Sequence, residues 1–215
     1  MASRIVPGLA LLLLSASVAA APPSDSAVAR LQSFLHDVHS LKAHFTQTVS
    51  HASLPGAQKS AGTVQIKRPN RFRWDYTSPN KELIDADGRN LWIYDAELEQ
   101  VTVKPLKTTL ASSPAMLLSG QGSLAEAFNV KSTGSRDGYE WVALTPKTAD
   151  SQFTHIEIGL DKQGLRVMQL RDSLGQTTRI EFSDVVRNPP IPEQAFQFKP
   201  PPGADVIGTP RAGGG

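Results

Sequence analysis

Lys67-Arg68-Pro69-Asn70-Arg71-Phe72-Arg73-Trp74-Asp75-Tyr76 is the stretch on which the fold turns. From Arg71 onward charged and aromatic residues alternate, so Phe72, Trp74 and Tyr76 share one face while Arg71, Arg73 and Asp75 share the other. A period of two is that of a half-buried antiparallel strand. Gly62–Lys67, immediately before it, alternates in the same way.

Downstream the pattern continues through 82–86, 91–94 and 100–104, with Asp87-Gly88 and Asp95–Glu99 as turns, which predicts a meander. Strand signals resume at 139–145, 153–160, 165–171 and 177–186, and a last strand is expected near Phe196–Phe198. Upstream, Val28, Leu31, Leu35, Val38 and Leu41 recur at three- and four-residue steps, predicting an amphipathic helix over 26–41. Pro114-Ala115-Met116-Leu117-Leu118, following Ser112-Ser113 and ending before Gly120, predicts a short apolar helix, with a further helical turn at 123–127. About ten strands without an alternating strand-helix pattern imply a mainly β, α+β fold: one large curved antiparallel sheet with helices on its concave face.

At the N-terminus, Arg4, the apolar run Leu9–Leu14 and the small residues Ser15–Ala20 read as a secretory signal peptide over 1–20. Residues 21–200 are expected to form a single domain, and 201–215, rich in proline and ending in three glycines, a flexible tail. Removing Arg4 with the leader leaves 21 Lys+Arg against 20 Asp+Glu, a formal charge of +1, which gives no reason to expect nucleic acid as a partner. The sequence contains no cysteine, which excludes disulfides, thiol catalysis and an acylated N-terminal cysteine.

Catalytic patterns are missing: there is no Gly-x-Ser-x-Gly, no phosphate-cradling loop and no His-Glu-x-x-His. The carboxylate pairs Asp85/Asp87 and Glu97/Glu99 flank turns and read as turn chemistry. His36, His39, His44 and His51 lie close in sequence but lack a carboxylate or cysteine at metal-ligand spacing. No enzyme, metal or cofactor is expected.

Phe45-Thr46-Gln47, Lys67–Trp74, Leu91-Trp92-Ile93-Tyr94, Pro114–Leu118, Leu144–Lys147 and Phe196–Pro201 together resemble the outer-membrane lipoprotein carrier family (LolA), in family order. The resemblance implies an unclosed antiparallel β-barrel of ten or eleven strands under a helical lid. It implies a monomeric periplasmic chaperone that takes acylated lipoproteins from an inner-membrane ABC-type release complex to an outer-membrane lipoprotein receptor. It further implies that Arg68 latches the lid through backbone carbonyls near Leu35 and Leu118. Phe72, Trp74, Trp92, Tyr94, Met116 and Leu117 are expected to line the acyl-chain cavity, although alternation alone leaves open which side Trp92 and Tyr94 face. Family members often carry an aromatic where this chain has Ala115. The basic residues Lys67, Arg71 and Arg73 are expected to form a docking patch for an acidic partner. A paralogous carrier of another lipid, or a lipoprotein-sensing regulator domain, would fit much of the same pattern.

Overall fold

Phe72 and Trp74 lie at the centre of the sheet, and the rest of the fold is built outward from their strand. The computed structural model describes residues 24–106, 114–119, 124–148 and 151–211. The expected signal peptide lies outside them. The chain runs α1 (Ser24–Asp37), β1 (Ser40–His51), β2 (Leu54–Lys67), β3 (Arg71–Ser78), β4 (Glu82–Asp87), β5 (Asn90–Asp95), β6 (Gln100–Pro105), α2 (Pro114–Ser119) and α3 (Leu124–Ala127). It continues through β7 (Phe128–Arg136), β8 (Tyr139–Pro146), β9 (Phe153–Asp161), β10 (Gly164–Asp172) and β11 (Gln176–Arg187), then a 3₁₀ turn (Glu193–Phe196) and β12 (Asp205–Ile207).

All twelve strands form one sheet, in the order β12-β6-β5-β4-β3-β2-β1-β11-β10-β9-β8-β7. Two antiparallel meanders meet where β1 pairs with β11, and β12 adds in parallel to β6. The outer strands β7 and β12 end the order without pairing to each other, so the barrel is unclosed.

Three elements depart from the sequence pattern. The first helix stops at Asp37 rather than Leu41, because Asn188 accepts from the His39 and Ser40 amides and donates to the Asp37 carbonyl, turning the chain into β1. In β1 the alternating Leu41, Ala43 and Phe45 are buried; helical spacing through Val38 and Leu41 had masked this strand. Edge strand β7 carried little signal, since after Val130 its sequence is polar or glycine.

The C-terminal segment also differs. Phe196 ends a 3₁₀ turn instead of lying in a strand, and the expected flexible tail is ordered through residue 211. β12 pairs with β6, and the Arg211 amide donates to Asn90 Oδ1 at 2.8 Å. This segment crosses the sheet face opposite α1 and α2.

The main core lies between the helices and the other face. Ala27, Leu31 and Phe34 of α1, with Val38 just beyond it, join Phe45, Val64, Phe72 and Trp74 from one meander and Ile156, Ile158, Met168 and Ile180 from the other. Fully burying one such side chain contributes about 1.5–3 kcal/mol, so the helices are held largely by apolar contact.

Candidate functional site

On the helix-covered face, side chains of β3, β4 and β5 line up in rows across the strands. Phe72, Ala86 and Leu91 form one row; Trp74, Ile84 and Ile93 the next; Tyr76, Glu82 and Asp95 the third. The first row is fully apolar and buried, while the third is polar, so the groove has an apolar floor and a polar rim. Phe45 packs into this pattern from β1, its ring 4.9 Å from Trp74 and 5.0 Å from Tyr76. Gly62 lies between Phe45 and Tyr76, and a Cβ there would stand 3.0 Å from the Phe45 ring and collide with the Asp75 carbonyl. Only glycine admits the ring cluster together with the β3 bulge.

The Tyr76 hydroxyl donates to Gln47 Oε1 at 3.1 Å, and burial with the neighbouring Glu82 charge pushes its pKa up, so it stays neutral. Glu82 is itself raised by burial and by Asp95. Trp74 is 3% exposed, and its indole N–H finds no hydrogen-bond partner among the described residues. The Tyr76 hydroxyl beside it is influenced by the indole, yet the N–H is not aligned on it as a hydrogen bond. A buried donor left unpaired costs about 1–3 kcal/mol.

At the floor end of the groove, Arg68 joins the two roof helices. Its Nε donates to the Leu118 carbonyl at 2.7 Å and a terminal N–H donates to the Leu35 carbonyl. Both carbonyls lie in the last turns of their helices, α2 and α1, where backbone acceptors lack intrahelical partners and the helix dipole is negative. One guanidinium thus neutralises two helix C-termini. Burial pulls its pKa down, but a guanidinium remains charged throughout the physiological range. The backbone supports the same junction, with the Arg68 amide donating to His39 O and the Asn70 amide to Ser119 O, each at 2.8 Å. Phe34, Val38, Leu41, Ile66, Arg68 and Leu118 line a small cleft at this seam.

Of the residues expected at the cavity, Phe72 and Trp74 lie in the core beneath the helices, and Leu117 packs against it. The side chains of Met116 and Ala115 lie outside the described residues. Trp92 and Tyr94 require correction. They lie across from Asp85 and Leu83, on the face that carries Arg73, so β5 turns Leu91 and Ile93 inward and its aromatics outward. There they pack against Phe198 of the C-terminal segment, with ring centroids 5.9 Å apart in both pairs. Val101, Val103, Leu83, Ile191 and Phe196 are buried outside the main core, and form a second, smaller core beneath this strap.

The basic residues are paired within the chain. Lys67 and Arg71 both bind Glu193 of the strap, at 2.6 and 2.8 Å, and Arg73 lies 3.7 Å from Asp75 and from Asp85. The docking charge expected from sequence is therefore largely neutralised internally.

Asp85, expected at a turn surface, is instead 0% exposed, and neither carboxylate oxygen is hydrogen-bonded among the described residues. Burial pushes its pKa up to about 7, with Arg73 and the nearby Phe198 amide pulling the other way and Asp87 adding to the rise. Asp87 does behave as a turn carboxylate. Against partial burial, which alone would raise it, hydrogen bonds from the Asn90 and Arg89 amides and the Trp92 indole hold its pKa down.

Fold and site together define a lidded half-barrel, an apolar trough roofed by two helices that one arginine ties down. The sequence model of the family described as "Outer membrane lipoprotein carrier protein LolA" matches residues 36–199. A protein of Dechloromonas aromatica (strain RCB) named outer-membrane lipoprotein carrier protein is 44% identical over 182 residues, covering 85% of this chain and 88% of its own. One of the same name from Chromobacterium violaceum is 41% identical over 199 residues, covering 91% and 96%. An uncharacterized conserved protein from Thermus thermophilus has a solved structure with TM-score 0.53 at 12% identity, covering 84% of this chain and 95% of that one, a likeness of fold alone. The chain belongs to the LolA family of outer-membrane lipoprotein carriers.

Proposed function

We propose that this protein is a periplasmic chaperone that holds lipoprotein acyl chains against the concave face of the half-barrel and carries them to the outer membrane. The observation that carries this reading is the Arg68 junction, one guanidinium that ties the C-terminal ends of both helices over an apolar trough, while Arg30 holds α1 further on Glu140 and the Asp161 carbonyl. Each methylene moved out of water contributes about 0.8 kcal/mol, so three long acyl chains exposed in an aqueous gap would cost tens of kcal/mol. A trough lined by Phe45, Phe72, Trp74 and Ile156 offers equivalent apolar surface once the helices swing aside.

Closure in the empty state serves release. The residues that receive the chains are covered by α1 and α2 when no cargo is present, so part of the binding free energy is spent on displacing the roof. Affinity is thereby kept below that of a site that is permanently open, and cargo can pass to the next acceptor. The Arg68 hydrogen bonds set how much the roof resists. Cargo arrives from an inner-membrane ABC-type release complex and leaves to an outer-membrane receptor; no helix of the described residues is long and apolar enough to cross a membrane itself.

The test is formation of a soluble complex between the purified protein and a triacylated lipoprotein, measured by gel filtration beside the same lipoprotein without its acyl chains. Acyl-dependent co-elution is expected. An Arg68→Leu variant is expected to retain cargo and to pass it on more slowly. Co-elution that does not depend on acylation would overturn the reading.

A further inference from the structure

The chain has three tryptophans, and they are not alike. Trp92 donates to Asp87 Oδ2 at 3.1 Å, and Trp141 donates to the Arg136 carbonyl at 3.0 Å. Trp74, deep under the helices, has no partner for its indole N–H among the described residues. The neighbouring Tyr76 hydroxyl gives its proton to Gln47 and keeps an oxygen able to accept, yet the indole N–H makes no hydrogen bond to it. An orphan donor in an apolar groove is ordinarily selected against, since phenylalanine would fill the same space between Phe45 and Phe182 without the penalty.

Its position matters as much as its lack of a partner. Trp74 stands in the last apolar row of the groove, between the row of Phe72, Ala86 and Leu91 and the row of Tyr76, Glu82 and Asp95. An acyl chain changes character in the same way along its length: a hydrocarbon tail ends in a carbonyl, and a polar head follows.

We propose that the Trp74 indole N–H is the groove's acyl-carbonyl donor, binding the ester or amide oxygen at the head of a bound chain whose tail runs toward Arg68. The idea rests on the acyl-carrier reading above and deepens it by assigning an orientation and a polar contact. In the empty protein the donor has no hydrogen-bond partner among the described residues. In the loaded protein it gains a carbonyl in a water-poor setting, where a neutral hydrogen bond discriminates most strongly. The groove then selects acyl-linked lipids over plain hydrocarbon or ether-linked chains of equal length.

The experiment compares 1,2-dipalmitoylglycerol with its ether counterpart 1,2-dihexadecylglycerol, and includes N-palmitoylethanolamine as the amide source of the same carbonyl. Binding is measured by competition for a fluorescent fatty-acyl probe, in the full protein and in Trp74→Phe. The ester is expected to bind about five- to tenfold more tightly than the ether in the parent protein, the worth of one neutral hydrogen bond, and equally in the variant. Independently of any variant, the indole ¹H–¹⁵N signals report the contact: Trp74 is expected to move downfield on carbonyl-bearing ligands and not on the ether. Whichever of ester and amide moves it more identifies the source. Equal binding of ester and ether by the parent protein, with an unmoved Trp74 signal, would overturn the inference while leaving the carrier reading intact. Failure of all three lipids to bind would overturn both.

Discussion

The two faces of the sheet are both covered, but by covers of different kinds. On the concave side, α1 packs against β7, β8 and β10 and α2 against β2 and β3 over apolar surface; Arg68 joins the two by hydrogen bonds to Leu35 and Leu118, and Arg30 holds α1 on Glu140 and the Asp161 carbonyl. On the convex side, the strap from residue 189 onward buries Ile191 and Phe196, stacks Phe198 on Trp92 and Tyr94, adds β12 to the sheet and anchors Glu193 to Lys67 and Arg71. Neighbouring residues serve opposite covers: Lys67 and Arg71 hold the strap, and Arg68 between them holds the lid. A cover that must open is closed by a few polar contacts over apolar surface; one that must stay is built into the sheet.

The largest effect should come from the fixed cover. Phe196→Ala removes a side chain that is 1% exposed from the small second core, and is expected to destabilise the whole protein by about 3–5 kcal/mol in urea unfolding. A loss under about 1 kcal/mol would show that the strap is as removable as the lid, and the contrast between the faces would fail.

Asp85 makes the same cover sensitive to pH. Its folded pKa of about 7 lies above the ordinary carboxylate range, so the native state keeps a proton that the unfolded chain gives up near pH 4. The contribution to stability is fully present below that lower pH and is lost as pH rises through about 7. Between pH 4 and pH 8 the parent protein is expected to lose about 2–4 kcal/mol relative to Asp85→Asn, measured by denaturation across the range. Parallel profiles would mean that the carboxyl is solvated in the native state.

Arg68→Leu should act locally. Removing charged hydrogen bonds to two helix ends is expected to cost about 1.5–3 kcal/mol of lid closure, seen as faster amide exchange in α1 and α2 with β3, β4 and the strap unchanged. Faster exchange spread evenly over the sheet would make Arg68 an ordinary structural residue. The smallest change is expected from Glu193→Gln, whose half-exposed ion pairs with Lys67 and Arg71 contribute about 1 kcal/mol or less, with the loss reduced further at high salt.

The strands around Arg71–Tyr76 were legible because aromatic and charged residues alternate without interruption, and their buried face is the one that alternation marks. The face of Trp92 and Tyr94 was not, because alternation gives two sets of side chains and only the register to Asp85 and Leu83 decides which set points inward. A strap covering the outer side leaves Trp92 and Tyr94 half-buried, as Ile93 is on the inner side, so local pattern does not separate the two faces. The strap was legible only in part: a last strand was expected near Phe196–Phe198, but the prolines beyond it read as a fraying tail, and local spacing does not show that the segment packs on the outer face. Asp85 looked like a turn residue because its burial comes from a segment more than a hundred positions away, which local pattern cannot register.

The most direct test of the account is to load the purified protein with a triacylated lipoprotein carrying a diazirine in its acyl chains, irradiate, and map the cross-linked peptides by mass spectrometry. The account predicts adducts on the concave face, at Phe45, Phe72, Trp74, Ile156 and neighbouring core positions. Adducts concentrated at Trp92, Tyr94, Phe196 and Phe198 would place the cargo under the strap and contradict it.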